Sequence, residues 1–317
     1  MLFSLILSSV LTFVQFNCEN LFDFRHDSLK QDIEFTPEGS RRWTKIKYWD
    51  KLNNISKAII SCGTEKRNWL VPDIVTLCEI ENDSVIRDLA KRSILRDIGY
   101  EYIVTNSPDI RGIDVALLYY PGSFAPVRYY PLRVELLKGM RPTSDIHYVS
   151  GRVITGDTIH LFVLHAPSRY GGEKRTRKHR MQVVKRIGRA IDSLRSCVVN
   201  PKIIVSGDFN DYSTDKSLAF LYDMGLCNIS KDAKGNFSAL GSYKHKGRWN
   251  SIDHILFSEN ILSWVESCWI NDASFLLEED DKYGGTLPFR TYKAWHYRKG
   301  FSDHLPIVLK LLLEKLE

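Results

Sequence analysis

The stretch Ile203-Ile204-Val205-Ser206-Gly207-Asp208-Phe209-Asn210-Asp211 runs from an apolar, β-branched strand signal straight into an acid and an amide two residues apart. Side chains of an extended chain alternate with period two, so Asp208 and Asn210 at a strand end share one face. Together they can grip one phosphate or one cation. A second stretch, Phe301-Ser302-Asp303-His304-Leu305-Pro306-Ile307, sets a carboxylate directly beside an imidazole. A hard cation, an imidazole and an amide donor are the parts that hydrolysis of a phosphate ester requires.

Working outward, the strand signals are short, apolar and rich in β-branched or aromatic residues: 11–16, 74–77, 102–105, 115–120, 159–164, 203–205, 252–257 and 307–311. Helical periodicity fills several gaps. Ile46, Trp49, Leu52, Ile55 and Ile59 recur at helical spacing, as do Met181, Val184, Ile187, Ile191 and Leu194. Asp83 is placed to cap a third helix carrying Val85, Ile86 and Leu89. Strands come both singly between helices and in adjacent pairs. That mixture predicts two packed sheets flanked by helices rather than one purely parallel sheet. Segments 24–41 and 271–300 are polar and turn-rich, and read as long loops near the site.

The 317 residues are 44% apolar, enough for a sizeable core. No linker, repeat or low-complexity tract divides them, so one domain over 1–317 is expected. Residues 1–10 are either a leader or the approach to the first strand. Met1 to Phe16 carries no charge and so lacks the basic start of a secretory signal. The same stretch is shorter than the roughly 20 apolar residues that span a bilayer. The strand reading is preferred, which favours the cytoplasm over export. Six scattered cysteines form no CxxC pair, which speaks against structural zinc and a disulfide framework. A net charge of +6 mildly suits a polyanionic partner. No obligate protein partner is evident, and a monomer is expected.

Further segments, in order, are Phe16-Asn17-Cys18-Glu19-Asn20-Leu21-Phe22-Asp23, Pro72-Asp73-Ile74-Val75-Thr76-Leu77-Cys78-Glu79, Arg111-Gly112-Ile113-Asp114, Leu164-His165-Ala166-Pro167-Ser168-Arg169 and Trp249-Asn250-Ser251-Ile252-Asp253-His254. With the two opening stretches they resemble, over nearly the whole chain, the endonuclease/exonuclease/phosphatase superfamily of DNase I and exonuclease III. The resemblance implies a DNase I-like four-layer α/β sandwich of two mixed sheets packed face to face between helices. It also implies a Mg²⁺- or Mn²⁺-dependent phosphoesterase. A nuclease acting on nucleic acid leads; a phosphomonoesterase or lipid-headgroup phosphodiesterase is the alternative, and a non-catalytic binding protein a remote one.

The resemblance also implies roles. Glu79 and Asp303 hold the metal, and Asn17 hydrogen-bonds Glu79 and helps hold phosphate. Asp208 and Asn210 orient the attacking water. Asp253 accepts a hydrogen bond from His304, which acts as general base or as donor to a phosphate oxygen. His165 acts as general acid or phosphate contact. Each has a plainer reading: Glu79 as a strand-end acid, Asn17 as a turn opener, His165 as a satisfied core histidine. Glu81 is left outside the site and His254 is read as structural. Arg111 and Arg169 are candidate phosphate contacts or ordinary surface arginines. The nine Lys/Arg between Glu173 and Arg195 suit either a nucleic-acid backbone or a solvated helix face. Trp43, Tyr170, Tyr243, Trp249, Tyr283 and Trp295 are either stacking platforms or half-buried anchors. The segment around Asp253 lacks the Cys-Asp-Arg pattern of inositol polyphosphate phosphatases, and the tryptophan-rich run of exonuclease III-like repair enzymes is absent. The chemistry is therefore better defined than the substrate.

Overall fold

A computed structural model describes residues 7–65 and 68–315. Twelve strands build two six-stranded sheets. In the first lie β1 (Leu7–Leu21), β2 (Ile74–Ile80), β3 (Glu101–Val104) and β4 (Asp114–Tyr119). In the second lie β5 (Phe124–Leu132), β6 (Ile146–Val153), β7 (Thr158–His165), β8 (Lys202–Asp208), β9 (Leu226–Asn228) and β10 (Asp253–Ser258). The chain then returns to the first sheet with β11 (Val265–Ile270) and β12 (Ile307–Lys315). Strand orders are β11-β12-β1-β2-β4-β3 and β9-β10-β8-β7-β6-β5. Each sheet has one parallel pair at its centre, β1 with β2 and β7 with β8, and antiparallel pairs elsewhere.

Both faces of the central strands are covered, which explains their near-continuous apolar runs. Leu11 and Phe13 of β1 pack between the sheets with Ile74, Leu161, Val163, Ile204 and Ile255. Val14 and Phe16, on the opposite face, pack beneath α1 (Lys45–Cys62) and α2 (Asp83–Lys91). Outside the second sheet, Phe162, Leu164, Ile203 and Val205 pack beneath α3 (Glu173–Cys197) and α4 (Lys216–Asp223). The result is four layers, helix, sheet, sheet, helix, as the sequence led us to expect.

All eight strand signals fall on strands, with differences at their ends. Asn82 rather than Asp83 caps α2, accepting the Val85 N–H at 3.0 Å. Ile46 is 76% exposed, and α1 instead buries Tyr48, Leu52, Ile55 and Ile59 together with the charged Lys51. Segment 271–300 contains two small hairpins, 277–279 with 286–288 and 292–293 with 296–297. Of the 1–10 stretch, residues 1–6 lie outside the described residues and 7–10 belong to β1. Among the described residues no helix is long and apolar enough to cross a membrane.

Beneath the site the two sheets are joined by hydrogen bonds. Thr76 Oγ1 and Ser206 Oγ donate to Gln15 Oε1 at 2.6 and 3.2 Å, and the Cys78 thiol donates to the Leu164 carbonyl at 3.3 Å. Satisfied buried polar groups of this kind fix the register of one sheet on the other.

Candidate active site

The carboxyl ends of both parallel pairs meet along one edge of the sandwich. Asn17 and Glu79 lie near the ends of β1 and β2, while His165 and Asp208 end β7 and β8. The antiparallel neighbours start at the same edge. Asp253 opens β10 opposite Asp208, and Asp303-His304 lead into β12 beside β1. Strand direction, not closeness along the chain, gathers these residues.

Glu79 is aimed by a bulge. The β2–β4 register slips between Cys78 and Ile80, and Glu79 has a φ of 64°. Such irregularities re-aim a side chain and store local strain. Glu79 Oε1 accepts from Asn17 Nδ2 at 3.1 Å, and Oε2 accepts from the Asn20 N–H at 2.7 Å. Glu81 instead accepts the Asp23 N–H at 2.6 Å, outside the cluster.

Asp208 stands at the centre. Its Oδ2 lies 3.1 Å from Asn17 Nδ2, 3.8 Å from His165 Nε2 and 4.0 Å from His304 Nε2. Both imidazoles thus flank the carboxylate without bonding to it. Oδ1 accepts the Asn210 N–H at 2.8 Å, and the Asn210 amide donates to the Ala166 carbonyl at 3.0 Å. Gly207 lets β8 run close to β7: a Cβ there would stand 1.9 Å from the Leu164 carbonyl oxygen. Burial, with Asp253 nearby, pushes the Asp208 carboxyl up to about 8.

His304 is held on three sides. Nδ1 donates to Asp253 Oδ2 at 2.7 Å, the same oxygen that accepts the Ser242 hydroxyl at 2.7 Å, and the Tyr243 ring packs 5.0 Å away. Burial would raise the Asp253 carboxyl, but the imidazole outweighs it and holds the group below the usual carboxylate range. Burial opposes the imidazolium as well, yet Asp253 holds His304 well above its ordinary value. His165 has no such support. Burial draws it down, and its Nδ1 has no hydrogen-bond partner among the described residues. His254 points away to the Asp211 carbonyl and Asn228.

Asp303 Oδ2 accepts from Arg290 Nη2 at 2.8 Å, and Oδ1 lies 4.0 Å from His304 Nε2. Arg290 Nε also reaches Glu19 at 3.3 Å, a carboxylate further held by the Thr291 N–H and by the buried Lys51 ammonium at 3.7 Å. Sequence reading missed Glu19, Arg290 and Ser242. A pairing between residues 19 and 290 leaves no trace in local spacing.

Arg111 is clamped bidentately by Asp109 at 3.1 and 2.7 Å, close enough to Glu79 and His165 to act on their charges. Arg169 is tied to Glu173 at 2.7 Å and Asp215 at 3.4 Å, over the Tyr212 ring. Trp43 is no stacking platform: it is 1% exposed and donates its indole N–H to the Phe22 carbonyl.

The donor set suits a hard cation. Glu79, Asp208 and Asp303 offer carboxylate oxygens and no thiolate. Asp208, Asp253 and His304 also bring ligand atoms within 4.8 Å of one another. Asp253 and His304 already bind each other, however, so that pair is better described as a positioning dyad beside Asp208.

A model of the endonuclease/exonuclease/phosphatase family matches residues 12–313. The chain belongs to this family. Its members are hydrolases that act on phosphate esters. Among solved structures, a family protein from Bacteroides thetaiotaomicron is 17% identical with a TM-score of 0.63, covering 96% of this chain and 98% of that one. The mannosyl-6-phosphatase of Bacteroides thetaiotaomicron is 18% identical with a TM-score of 0.59, covering 96% and 100%. TDP2 from D. rerio, complexed with a single-strand DNA product, is 14% identical with a TM-score of 0.53, covering 96% and 99%. At these identities the likeness is one of fold. Among curated proteins, no sequence matches the chain significantly.

Proposed function

We propose that the protein is a divalent-metal-dependent phosphoesterase that transfers a phosphoryl group to water, with phosphodiesters of nucleic acid as its leading substrate class. The observation that carries this reading is the arrangement around Asp208. The carboxylate is bonded to Asn17 and flanked by two imidazoles, with His304 locked by Asp253 and Glu79 bonded to the same Asn17 amide nitrogen. Glu79 and Asp303 would hold Mg²⁺ or Mn²⁺, which when bound would supply positive charge to a phosphate oxygen.

The remaining roles follow from the hydrogen bonds. Asp253 fixes the His304 tautomer so that Nε2 faces the site, where it can donate to a phosphate oxygen or accept a proton from water. Asp208, itself positioned by the Asn210 N–H, is an acceptor for the attacking water. Asn17 offers an amide donor and His165 a second imidazole. Donors fixed in advance around the place where charge develops are the largest contribution such a site can make.

A second reading, a small phosphate ester as substrate, is favoured by the state of the α3 cations. Arg180 is fully buried against Asp211 at 2.6 Å, Arg177 is paired with Glu173, and Arg189 with Glu135. Fewer charges are left for a nucleic-acid backbone than the sequence count implied. The similar folds include both a mannosyl-6-phosphatase and a protein bound to a DNA product, so the fold does not choose between them. The test is purified protein with Mg²⁺ or Mn²⁺ against single-stranded DNA, RNA, plasmid DNA, inositol phosphates and bis-p-nitrophenyl phosphate. Hydrolysis of bis-p-nitrophenyl phosphate that His304→Ala abolishes supports the reading. Failure to hydrolyse any phosphate ester overturns it.

A further inference from the structure

Beside the catalytic cluster lies a cavity of about 280 Å³ whose lining includes Phe35, Trp43, Tyr292, Arg41 and Arg290. Two of its other lining residues touch the cluster: Asn20 donates its N–H to Glu79, and Glu19 pairs with Arg290. Arg290 is the shared wall, since its Nη2 binds Asp303. Phe35 and Tyr292, backed by the almost fully buried Trp43, line its apolar side. The two arginines supply the opposite chemistry.

Arg41 is built into place. Its Nε donates to Glu34 at 2.7 Å and its Nη1 to the Ala294 carbonyl at 2.8 Å. Its guanidinium also packs 4.9 Å from the ring centres of both Tyr292 and Trp295. A planar guanidinium held by two hydrogen bonds and two rings has given up its rotamer freedom beforehand. Arg41 Nη2 and Arg290 Nη1 have no protein partner among the described residues. The one carboxylate on the lining, Glu19, is already met by Arg290, by Lys51 and by the Thr291 N–H. The cavity therefore presents unspent positive donors above an aromatic surface.

We propose that this cavity is a subsite for a second phosphate carried on a ring next to the scissile phosphoester, recognised by Arg41 and Arg290. The proposal rests on the phosphoesterase reading for the neighbouring cluster. Two sources share this ligand chemistry: a nucleic-acid strand, through its adjacent phosphate, and a small sugar bisphosphate. Charge-assisted contacts of this kind, one from each guanidinium, contribute about 10- to 100-fold in affinity.

The test is calorimetric binding to His304→Ala protein with Mg²⁺, so that nothing turns over. One arm compares dithymidylate with and without a 5′-phosphate; the other compares a hexose bisphosphate with its monophosphate. The second phosphate should tighten binding about 10- to 100-fold in one arm, which also names the source. Arg41→Gln should collapse that ratio toward one, and Arg41→Lys, which keeps the charge, should restore part of it. A ratio near one in both arms, or a ratio that Arg41→Gln leaves unchanged, overturns the subsite. The phosphoesterase reading fails separately, if wild-type protein hydrolyses neither bis-p-nitrophenyl phosphate nor any other phosphate ester.

Discussion

Asp208 was legible at the end of a strand signal, but period-two alternation does not carry on to Asn210, which lies past β8 with a φ of 50° and turns its amide to the Ala166 carbonyl. Glu79 could not be aimed that way either. Its direction comes from a bulge with a positive φ, and only the resemblance of its segment marked it out. Glu19 and Arg290 were out of reach altogether, because their pairing depends on two loops brought together by the finished sandwich. Glu79→Gln keeps the shape and removes the charge. It should weaken Mg²⁺ or Mn²⁺ binding about 10- to 100-fold, as read by metal titration, with little change in melting temperature. His304→Ala should lower kcat by about 10²–10⁴, and Asp253→Asn should reproduce much of that loss. Because these two act as one unit, the double variant should be scarcely worse than His304→Ala alone. Fully multiplicative losses in a double-mutant cycle would show that the 2.7 Å contact carries no catalytic weight.

Buried on both faces, the central strands announced themselves as apolar runs. One buried interior strand, β6, escaped because His147, Ser150, Gly151 and Arg152 interrupt its apolar run, and other strands escaped at the sheet edges. Of these, β5 contains Pro126 and Pro131 and sits at a sheet edge, where proline is tolerated but the strand signal is lost. A half-exposed edge strand, β11, was likewise overlooked. Gly207 shows how closely β7 and β8 approach. Gly207→Ala would drive a methyl group into the Leu164 carbonyl and should cost more than about 3 kcal/mol in denaturant unfolding, as backbone collisions in a packed sheet do. On β6, burial draws His147 down to about 4. The unfolded chain therefore binds a proton at His147 that the folded chain refuses, between the ordinary histidine value and about 4. Stability should fall as pH drops through that window, by up to about 1.4 kcal/mol per pH unit. His147→Gln should flatten that slope in pH-dependent melts. An unchanged slope would place the acid sensitivity elsewhere.

At the scale of the molecule, the four-layer order was legible because helix periodicity alternates with paired strand signals, and the comparison with known folds agrees. What the whole chain acts on was less legible, since +6 of net charge says nothing about which cations are already spoken for. Within α3 the structure shows Arg177 and Arg180 bonded to acids, while Lys174 and Arg175 have no ion pair among the described residues. If a nucleic-acid backbone tracks this helix, neutralising Lys174 and Arg175 together should flatten the log–log salt dependence of binding by about two units. An unchanged slope would make the helix an ordinary solvated face and move the balance toward small phosphate esters. Central to all of this is a cation-assisted phosphoester cleavage built on Glu79, Asp208 and His304. Its most direct test is the rate of bis-p-nitrophenyl phosphate hydrolysis before chelation, after complete removal of divalent metal, and after adding back Mg²⁺ or Mn²⁺. The rate should vanish on chelation and return with the metal in wild-type protein, whereas Glu79→Gln should need about 10- to 100-fold more metal for the same recovery. Full activity in metal-stripped protein would contradict it.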